Sequence, residues 1–151
     1  MRGNDDEDRM DIRKVVAAYS LLVGVMMAAM WSVFAVTDQI PEIETSPKEI
    51  AFHLAAEFLT AFALIAGGLG LVLRRGWGFA MNLVALGMLA YTVVVSPGYY
   101  AQTSDYAFVG VFAVLMALTL FFIVVSIWKK GELASEKGIS PGNGRKIRTV
   151  R

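Results

Sequence analysis

A histidine and a glutamate four residues apart are the side chains of this sequence best suited to chemistry. His53 is the only histidine among the 151 residues, and Glu57 is the only acidic residue inside the long apolar stretches. On an α-helix, residues four apart share a face, about one turn from each other. An ionisable side chain at membrane depth costs roughly 2.5–3.5 kcal/mol, so it usually marks a functional site. The pair therefore predicts such a site.

The apolar stretches around this pair are long enough to cross a membrane. The chain is 56% hydrophobic and only 18% charged, whereas soluble domains have about 25% charged residues. A helix needs roughly 20 apolar residues to cross a bilayer core of about 30 Å. We predict an all-α protein: an antiparallel bundle of four transmembrane helices at about 15–37, 47–73, 77–95 and 107–128. This membrane domain, 15–128, lies between a polar cytoplasmic N-terminus, 1–14, and a basic, flexible cytoplasmic tail, 129–151.

The basic residues predict the orientation of the bundle, because Lys and Arg are enriched in the cytoplasmic segments of membrane proteins. With the N-terminus in the cytoplasm, all of the 14 Lys and Arg residues except Lys48 fall on the cytoplasmic side. We therefore predict a multi-pass protein of the inner or plasma membrane, with both termini cytoplasmic and the lipid bilayer as its surroundings.

Several classes of chemistry are excluded or left without support. The chain has no cysteine, which excludes disulfides, iron–sulfur clusters and thiolate zinc sites. No nucleophile elbow, HExxH motif or phosphate-binding loop is present, so no catalytic residues are predicted. The sequence identifies no cofactor and no feature that binds nucleic acid.

The start of the second span has a clear local signature. The segment Ser46-Pro47-Lys48-Glu49 predicts a capping box with proline at the first helical position. Small residues follow along one face of the same helix, which allows a neighbouring helix to approach closely. Because Glu57 is continuous with this face, we expect it to point into the bundle. The small face consists of Ala56, Thr60, Ala63, Gly67 and Gly70.

The predicted site lies near the outer membrane surface. Counted from Ile50, Glu57 is roughly 10 Å deep at 1.5 Å per helical residue, and His53 is one turn nearer the outside. The connection after the third span is rich in tyrosine, which is typical of an interfacial aromatic belt; the alternative is a cap over the outer mouth of the bundle that supplies phenol and amide groups to a ligand. The predicted ligand-binding residues are His53, Glu57, Tyr91, Tyr99, Tyr100 and Gln102, with Ser32, Thr37 and Asp38 as further neighbours.

The sequence leaves several roles open for the pair. Glu57 can bind a cation or an amine, which His53 and the tyrosines would orient. The pair can handle protons, because histidine changes charge near neutral pH. It can also be structural, with His53 bonded to Glu57 or to nearby backbone to fix helix packing. One histidine and one glutamate are too few for a tight metal site, so no metal ligands are predicted; a two-fold dimer would double them, or Asp38 and a loop group would complete such a site.

The predicted function follows from these roles. It is that of an integral membrane protein with a small-ligand, ion or proton-handling site in the outer leaflet, built on the His-x-x-x-Glu pair. The alternative is a non-catalytic accessory or scaffold subunit of a larger membrane complex, in which the pair is structural. Small-residue helix faces also favour a homo-oligomer.

Four short segments carry a family resemblance: FHLAAEFLT at 52–60, GGLG at 67–70, RRGWG at 74–78 and SPGYY at 96–100. With these segments the chain resembles small uncharacterised four-span membrane proteins of prokaryotes. In size and layout it also resembles DoxX-type four-helix proteins. The resemblance covers 15–128 and implies a four-helix membrane fold, but it transfers no catalytic residue and no function.

Overall fold

The computed structural model describes residues 12–40, 42–102, 104 and 106–134, and in this part of the chain the secondary structure is entirely helical. The predicted all-α class, with four long apolar helices, is confirmed. The helices are α1 (Ile12–Val36), α2 (Glu42–Thr45), α3 (Pro47–Val72), α4 (Gly78–Val95), α5 (Pro97–Gln102), α6 (Tyr106–Trp128) and α7 (Lys130–Leu133).

Helices α1, α3, α4 and α6 are each long and apolar enough to cross a membrane. Their outward faces carry many large apolar side chains, among them Phe62, Leu118 and Phe121, which are exposed. An apolar surface of this extent is typical of a protein that contacts lipid. The four helices are thus compatible with a multi-pass membrane protein.

Helix α3 packs against both α1 and α4, and α6 packs against α4. We call the half of the bundle that holds the α3–α4 turn, 73–77, the lower half, and the half that holds α2 and α5 the upper half. In the lower half, α1 is joined to α6 by side chains. The Tyr19 hydroxyl lies 2.7 Å from Thr119 Oγ1, and the Tyr19 ring stacks on Phe122 at a centroid distance of 4.3 Å.

Small residues allow α3 to lie very close to its two neighbours in the lower half. A Cβ atom added to Gly68 would come within 3.1 Å of the Ala17 carbonyl oxygen on α1. On the other side of α3, a Cβ on Gly67 would come within 2.6 Å of Asn82 Cα. Gly67, a member of the small face predicted for the second span, forms the contact with α4, whereas the contact with α1 is made by Gly68, which lies outside that face.

The capping box predicted at Ser46 is not formed. Helix α3 does begin at Pro47, but the Ser46 side chain makes no capping hydrogen bond. The physical reason is the short helix α2. The Ser46 backbone N–H already donates to the Glu42 carbonyl oxygen at 2.8 Å, so Glu49 cannot reach back to that amide.

Three short helices form in segments that the sequence suggested were only connections or tail. Helices α2 and α5 lie at the upper ends of the long helices, and α7 follows α6 directly. Leu133 of α7 is buried in the main apolar core. The first turn of the segment predicted as a tail therefore packs against the bundle, while residues 1–11 and 135–151 lie outside the described part of the chain.

Candidate functional site

His53 and Glu57 lie on one face of α3 in the upper half of the bundle. Glu57 is only 5% exposed, whereas about one third of the His53 side chain is exposed. His53 Nε2 lies 3.8 Å from Glu57 Oε1, which is too long for a hydrogen bond. The two side chains are neighbours, as their spacing predicts, but no hydrogen bond joins them.

The partner of Glu57 is a tryptophan on the adjacent helix. The Trp31 indole Nε1–H donates a hydrogen bond to Glu57 Oε2 at 3.2 Å. The Trp31 ring also meets the His53 ring edge to face, with centroids 5.5 Å apart. Trp31 therefore contacts both members of the pair and fixes α1 beside α3 at this level.

The second carboxylate oxygen of Glu57 has no such partner. Glu57 Oε1 is buried and makes no hydrogen bond to any described residue. A buried polar atom without a hydrogen bond costs about 1–3 kcal/mol, and more if it is charged. An uncompensated acceptor in a folded protein calls for an explanation, and a ligand that supplies a hydrogen-bond donor is one.

Glu57 lines a cavity of about 730 Å³ in the upper half of the bundle. This volume lies within the range of about 300–1,000 Å³ that is usual for small-molecule sites. All four long helices contribute to the wall, and the α1–α3 connection contributes Gln39, Ile40 and Glu42 at its upper end. Most of the wall is apolar. Its large side chains include Met26, Met27, Met30, Phe34, Phe108 and Phe112.

The link between α1 and α6 lies one turn below this cavity. The lowest residues of the cavity wall on α1 and α6 are Val23 and Leu115. Tyr19 and Thr119 lie four residues further down on the same two helices. The Thr119 hydroxyl donates to the Leu115 carbonyl oxygen at 2.7 Å, so the hydroxyl of Tyr19 donates to Thr119. The cavity thus has a floor in which the polar groups are already paired.

Hydroxyl groups of α4 that face the cavity are satisfied within their own helix. The Thr92 hydroxyl donates to the Leu89 carbonyl oxygen at 3.1 Å, and that of Ser96 donates to the Thr92 carbonyl oxygen at 2.9 Å. The Trp31 donor is used by Glu57. Beside Glu57, the wall therefore contains one buried acceptor without a hydrogen bond, Oε1, while Gln39 and Ser46 bring amide and hydroxyl groups to the upper end of the cavity.

Apart from His53, the predicted site residues with described side chains are not found beside Glu57 in the cavity. Tyr91 is 70% exposed and lines a separate groove between α3 and α4, which also includes Ala56 and Gly87. The structure therefore does not bring Tyr91 into the cavity with Glu57. Tyr99, Tyr100 and Gln102 lie in α5, but their side chains fall outside the described part of the structure.

The remaining neighbours considered from the sequence lie away from the cavity. Ser32 and Thr37 are exposed and donate to the carbonyl oxygens of Ala28 and Val33 on their own helix. Asp38 is exposed and has a positive φ of 53°, where the chain turns after α1.

Sequence reasoning missed Trp31 as the partner of Glu57. It also missed the methionine and phenylalanine side chains that form the apolar wall. A usable signal was present for Trp31, because it is an indole donor near the end of the first predicted span, 15–37, on the side of the bundle where Glu57 needs a partner.

No group of three His, Cys, Asp or Glu side chains with metal-binding geometry occurs among the described residues.

Comparisons with known proteins identify a family but no activity. No curated protein and no solved structure matches the chain, and the resemblance to DoxX-type proteins is not confirmed. The sequence model of a family described as a domain of unknown function, DUF8058, matches residues 10–138. This range includes all four long helices and the whole cavity wall. The chain belongs to the DUF8058 family.

Proposed function

We propose that this protein is a multi-pass membrane protein that binds a small hydrophobic ligand in the cavity of its upper half, with Glu57 as the polar anchor. The observation that carries this proposal is Glu57, which lines a largely apolar cavity of about 730 Å³ and whose buried Oε1 makes no hydrogen bond. Ligand sites usually combine an apolar lining with a few polar groups that fix orientation. Of the roles open from sequence, ligand binding accounts for both features, whereas proton handling does not require so large an apolar volume.

We further propose an antiparallel arrangement with both termini in the cytoplasm. Contacts between α1 and α3 support it. Gly68 lies near Ala17 in the lower half, and Glu57 contacts Trp31 in the upper half. Residue numbers therefore increase in opposite directions along the two helices, which are antiparallel. Helices α3 and α4 are antiparallel by the same argument. Gly70 lies beside Gly78 in the lower half, and Ala56 lines one groove with Thr92 in the upper half. The distribution of Lys and Arg supports a lower half on the cytoplasmic side, and in this orientation the cavity lies in the outer leaflet.

Labelling of single cysteines tests this orientation without background, because the chain has no cysteine. A membrane-impermeant maleimide is expected to label Ala101→Cys in intact cells and to label Gly76→Cys only after the cells are opened. The reverse pattern would show that the cavity faces the cytoplasmic leaflet.

Native mass spectrometry of the protein released from nanodiscs tests the binding function. We expect a bound small molecule on the natural protein and at least a tenfold smaller occupancy on Met27→Trp, because the larger side chain fills the cavity. The matched control is Val25→Trp on the same helix. Val25 is 54% exposed and lies outside the cavity wall, so this variant is expected to keep the ligand.

The same spectra address the alternative function. Equal occupancy in all three proteins, or none in any, would contradict ligand binding in this cavity. A specific protein partner in place of a small molecule would favour an accessory or scaffold subunit of a larger membrane complex. The mass of the intact particle also reports whether the protein is a homo-oligomer.

A further inference from the structure

We infer that the ligand of this cavity is a hydrophobic amine, whose single ammonium group pairs with Glu57 and whose apolar body extends down the methionine- and phenylalanine-lined part of the cavity. The inference rests on the proposed function and specifies the class of ligand. It follows from the hydrogen-bonding groups, the charge and the shape of the cavity.

The hydrogen-bonding groups select a ligand that donates. Glu57 Oε1 is a buried acceptor without a partner, while the hydroxyls of Thr92 and Ser96 donate to backbone carbonyls and the Trp31 indole donates to Glu57 Oε2. A ligand whose head group only accepts hydrogen bonds would leave Oε1 unpaired. An ammonium group supplies the missing donor.

The charge of the cavity selects a cation among such donors. Glu42 and Glu49 lie at the upper rim and Glu57 lies deeper, whereas no Lys or Arg is among the described residues of the wall. His53 is the only lining side chain there that can become positively charged. A fatty acid would place its carboxylate next to Glu57, and an alcohol would leave the acidic charge uncompensated.

Aromatic groups around Glu57 favour the same head group. Trp31 and His53 meet edge to face beside the carboxylate, and a tryptophan ring attracts a cation that lies over its face. Because Glu57 Oε1 is buried and lies 3.8 Å from the one-third exposed His53, binding of an ammonium group at this oxygen requires the imidazole to rotate outward. The ammonium then contacts Oε1 in its place.

The shape of the lower cavity suits an extended apolar body. Val23 lies eight residues below Trp31 on α1, a distance of roughly 12 Å at 1.5 Å per residue. Three methionines line this side of the cavity. Their unbranched, flexible side chains adapt to ligands of different shapes, so the cavity accepts a chain or a flat ring system of this length.

Binding of tritiated dodecylamine to the full-length protein in phosphatidylcholine nanodiscs tests the inference, with empty nanodiscs as the correction for partition into lipid. We expect saturable binding, at least tenfold weaker competition by dodecanol than by unlabelled dodecylamine, and no competition by dodecanoate. Glu57→Gln is expected to weaken amine binding at least tenfold. The matched control Glu44→Gln, an exposed residue of α2 outside the cavity wall, is expected to change it less than threefold.

The outcomes separate this inference from the proposed function. If dodecanol or dodecanoate competes as well as the amine, or if Glu57→Gln binds the amine normally, the ligand is not an amine. Saturable binding that Met27→Trp abolishes would then still support a ligand site. If none of the three amphiphiles binds saturably, this inference is overturned. The proposed function is then tested separately, by whether native mass spectrometry finds a co-purified ligand.

A further binding experiment, with phosphatidylethanolamine added to the nanodisc, identifies the source of the ammonium group. An aminophospholipid of the bilayer and a free amine both carry it. If phosphatidylethanolamine in the nanodisc displaces dodecylamine, the natural occupant is the lipid; if binding is unchanged, it is a free hydrophobic amine. Both results retain the ammonium as the group that Glu57 binds.

Discussion

Substitution of Gly78 by alanine is expected to abolish most of the folded protein. An added Cβ would lie 2.3 Å from the carbonyl carbon and 2.6 Å from the carbonyl oxygen of Gly70, and 2.8 Å from the Leu71 amide nitrogen. All three atoms belong to the backbone of α3, so no side-chain rotation relieves the overlap, and α4 must move away. Overpacking of a core usually costs about 1–3 kcal/mol, and a clash between two backbones is expected at or above the upper end of that range.

Gly87→Ala is the matched control for this prediction. Gly87 lies on the same helix, and a Cβ added there meets nothing within 4 Å. Alanine in place of glycine in a helix is stabilising by roughly 0.5–1 kcal/mol, so this variant is expected to fold as well as the natural protein or better. The measurement is the yield of monodisperse protein and its midpoint of thermal unfolding in detergent. Equal behaviour of the two variants would show that α3 and α4 do not pack as described.

Glu57→Gln is expected to weaken ligand binding at least tenfold while leaving the free energy of unfolding unchanged or raising it by up to about 1–3 kcal/mol. The glutamine carbonyl oxygen can still accept the hydrogen bond that Trp31 donates to Glu57. The substitution removes the negative charge and replaces the buried Oε1, which makes no hydrogen bond, with an uncharged amide NH2 group. A residue kept for binding is thus expected to be a liability for stability when no ligand is present.

The structural alternative predicts the opposite sign. If Glu57 served mainly to hold α1 and α3 together through a buried charged interaction, its loss would destabilise the protein by about 3–5 kcal/mol. Reversible unfolding of the ligand-free protein in mixed micelles distinguishes the two. Trp31→Phe provides a positive control for lost packing, because it removes the indole donor and is expected to cost about 1 kcal/mol or more.

Much of the fold was predictable because it depends on regular patterns. Long apolar runs predict four helices, and Pro47 predicts where α3 begins; both appear in the structure. The small residues on α3 likewise predict its close contacts. The short helices α2 and α7 were not predictable, because their few residues lack an apolar period. The capping box failed for a related reason, since α2 occupies the Ser46 amide.

The site was predictable only in part. The rarity of an acid in an apolar run pointed to Glu57, and continuity with small residues indicated that it faces inward, where it is indeed buried. Partners across helices depend on the rotation of each helix about its axis, which the nearly uniform apolar character of these spans does not specify. Depth alone therefore grouped Tyr91 with Glu57, although Tyr91 faces a different groove.

The cavity itself has no sequence signature. It exists because α1 and α6 are joined in the lower half by Tyr19, Thr119 and Phe122, while side chains of the same two helices line an open volume one turn higher. Methionine and phenylalanine in an apolar helix are as suitable for lipid contact as for a cavity wall. Only the packed structure distinguishes these roles.

The most direct test of a ligand site beside Glu57 is a methyl spectrum of the protein in nanodiscs with ¹³C-labelled methionine. The chain has 8 methionines; Met27 and Met30 line the cavity, whereas Met81 and Met116 do not. On addition of dodecylamine, we expect saturable shifts of the Met27 and Met30 methyl signals, cross-relaxation between these methyls and the ligand chain, and unchanged Met81 and Met116 signals. Loss of the shifts in Glu57→Gln would complete the predicted pattern. Equal shifts at all four methionines, or shifts at Met81 and Met116 alone, would contradict a ligand site in this cavity.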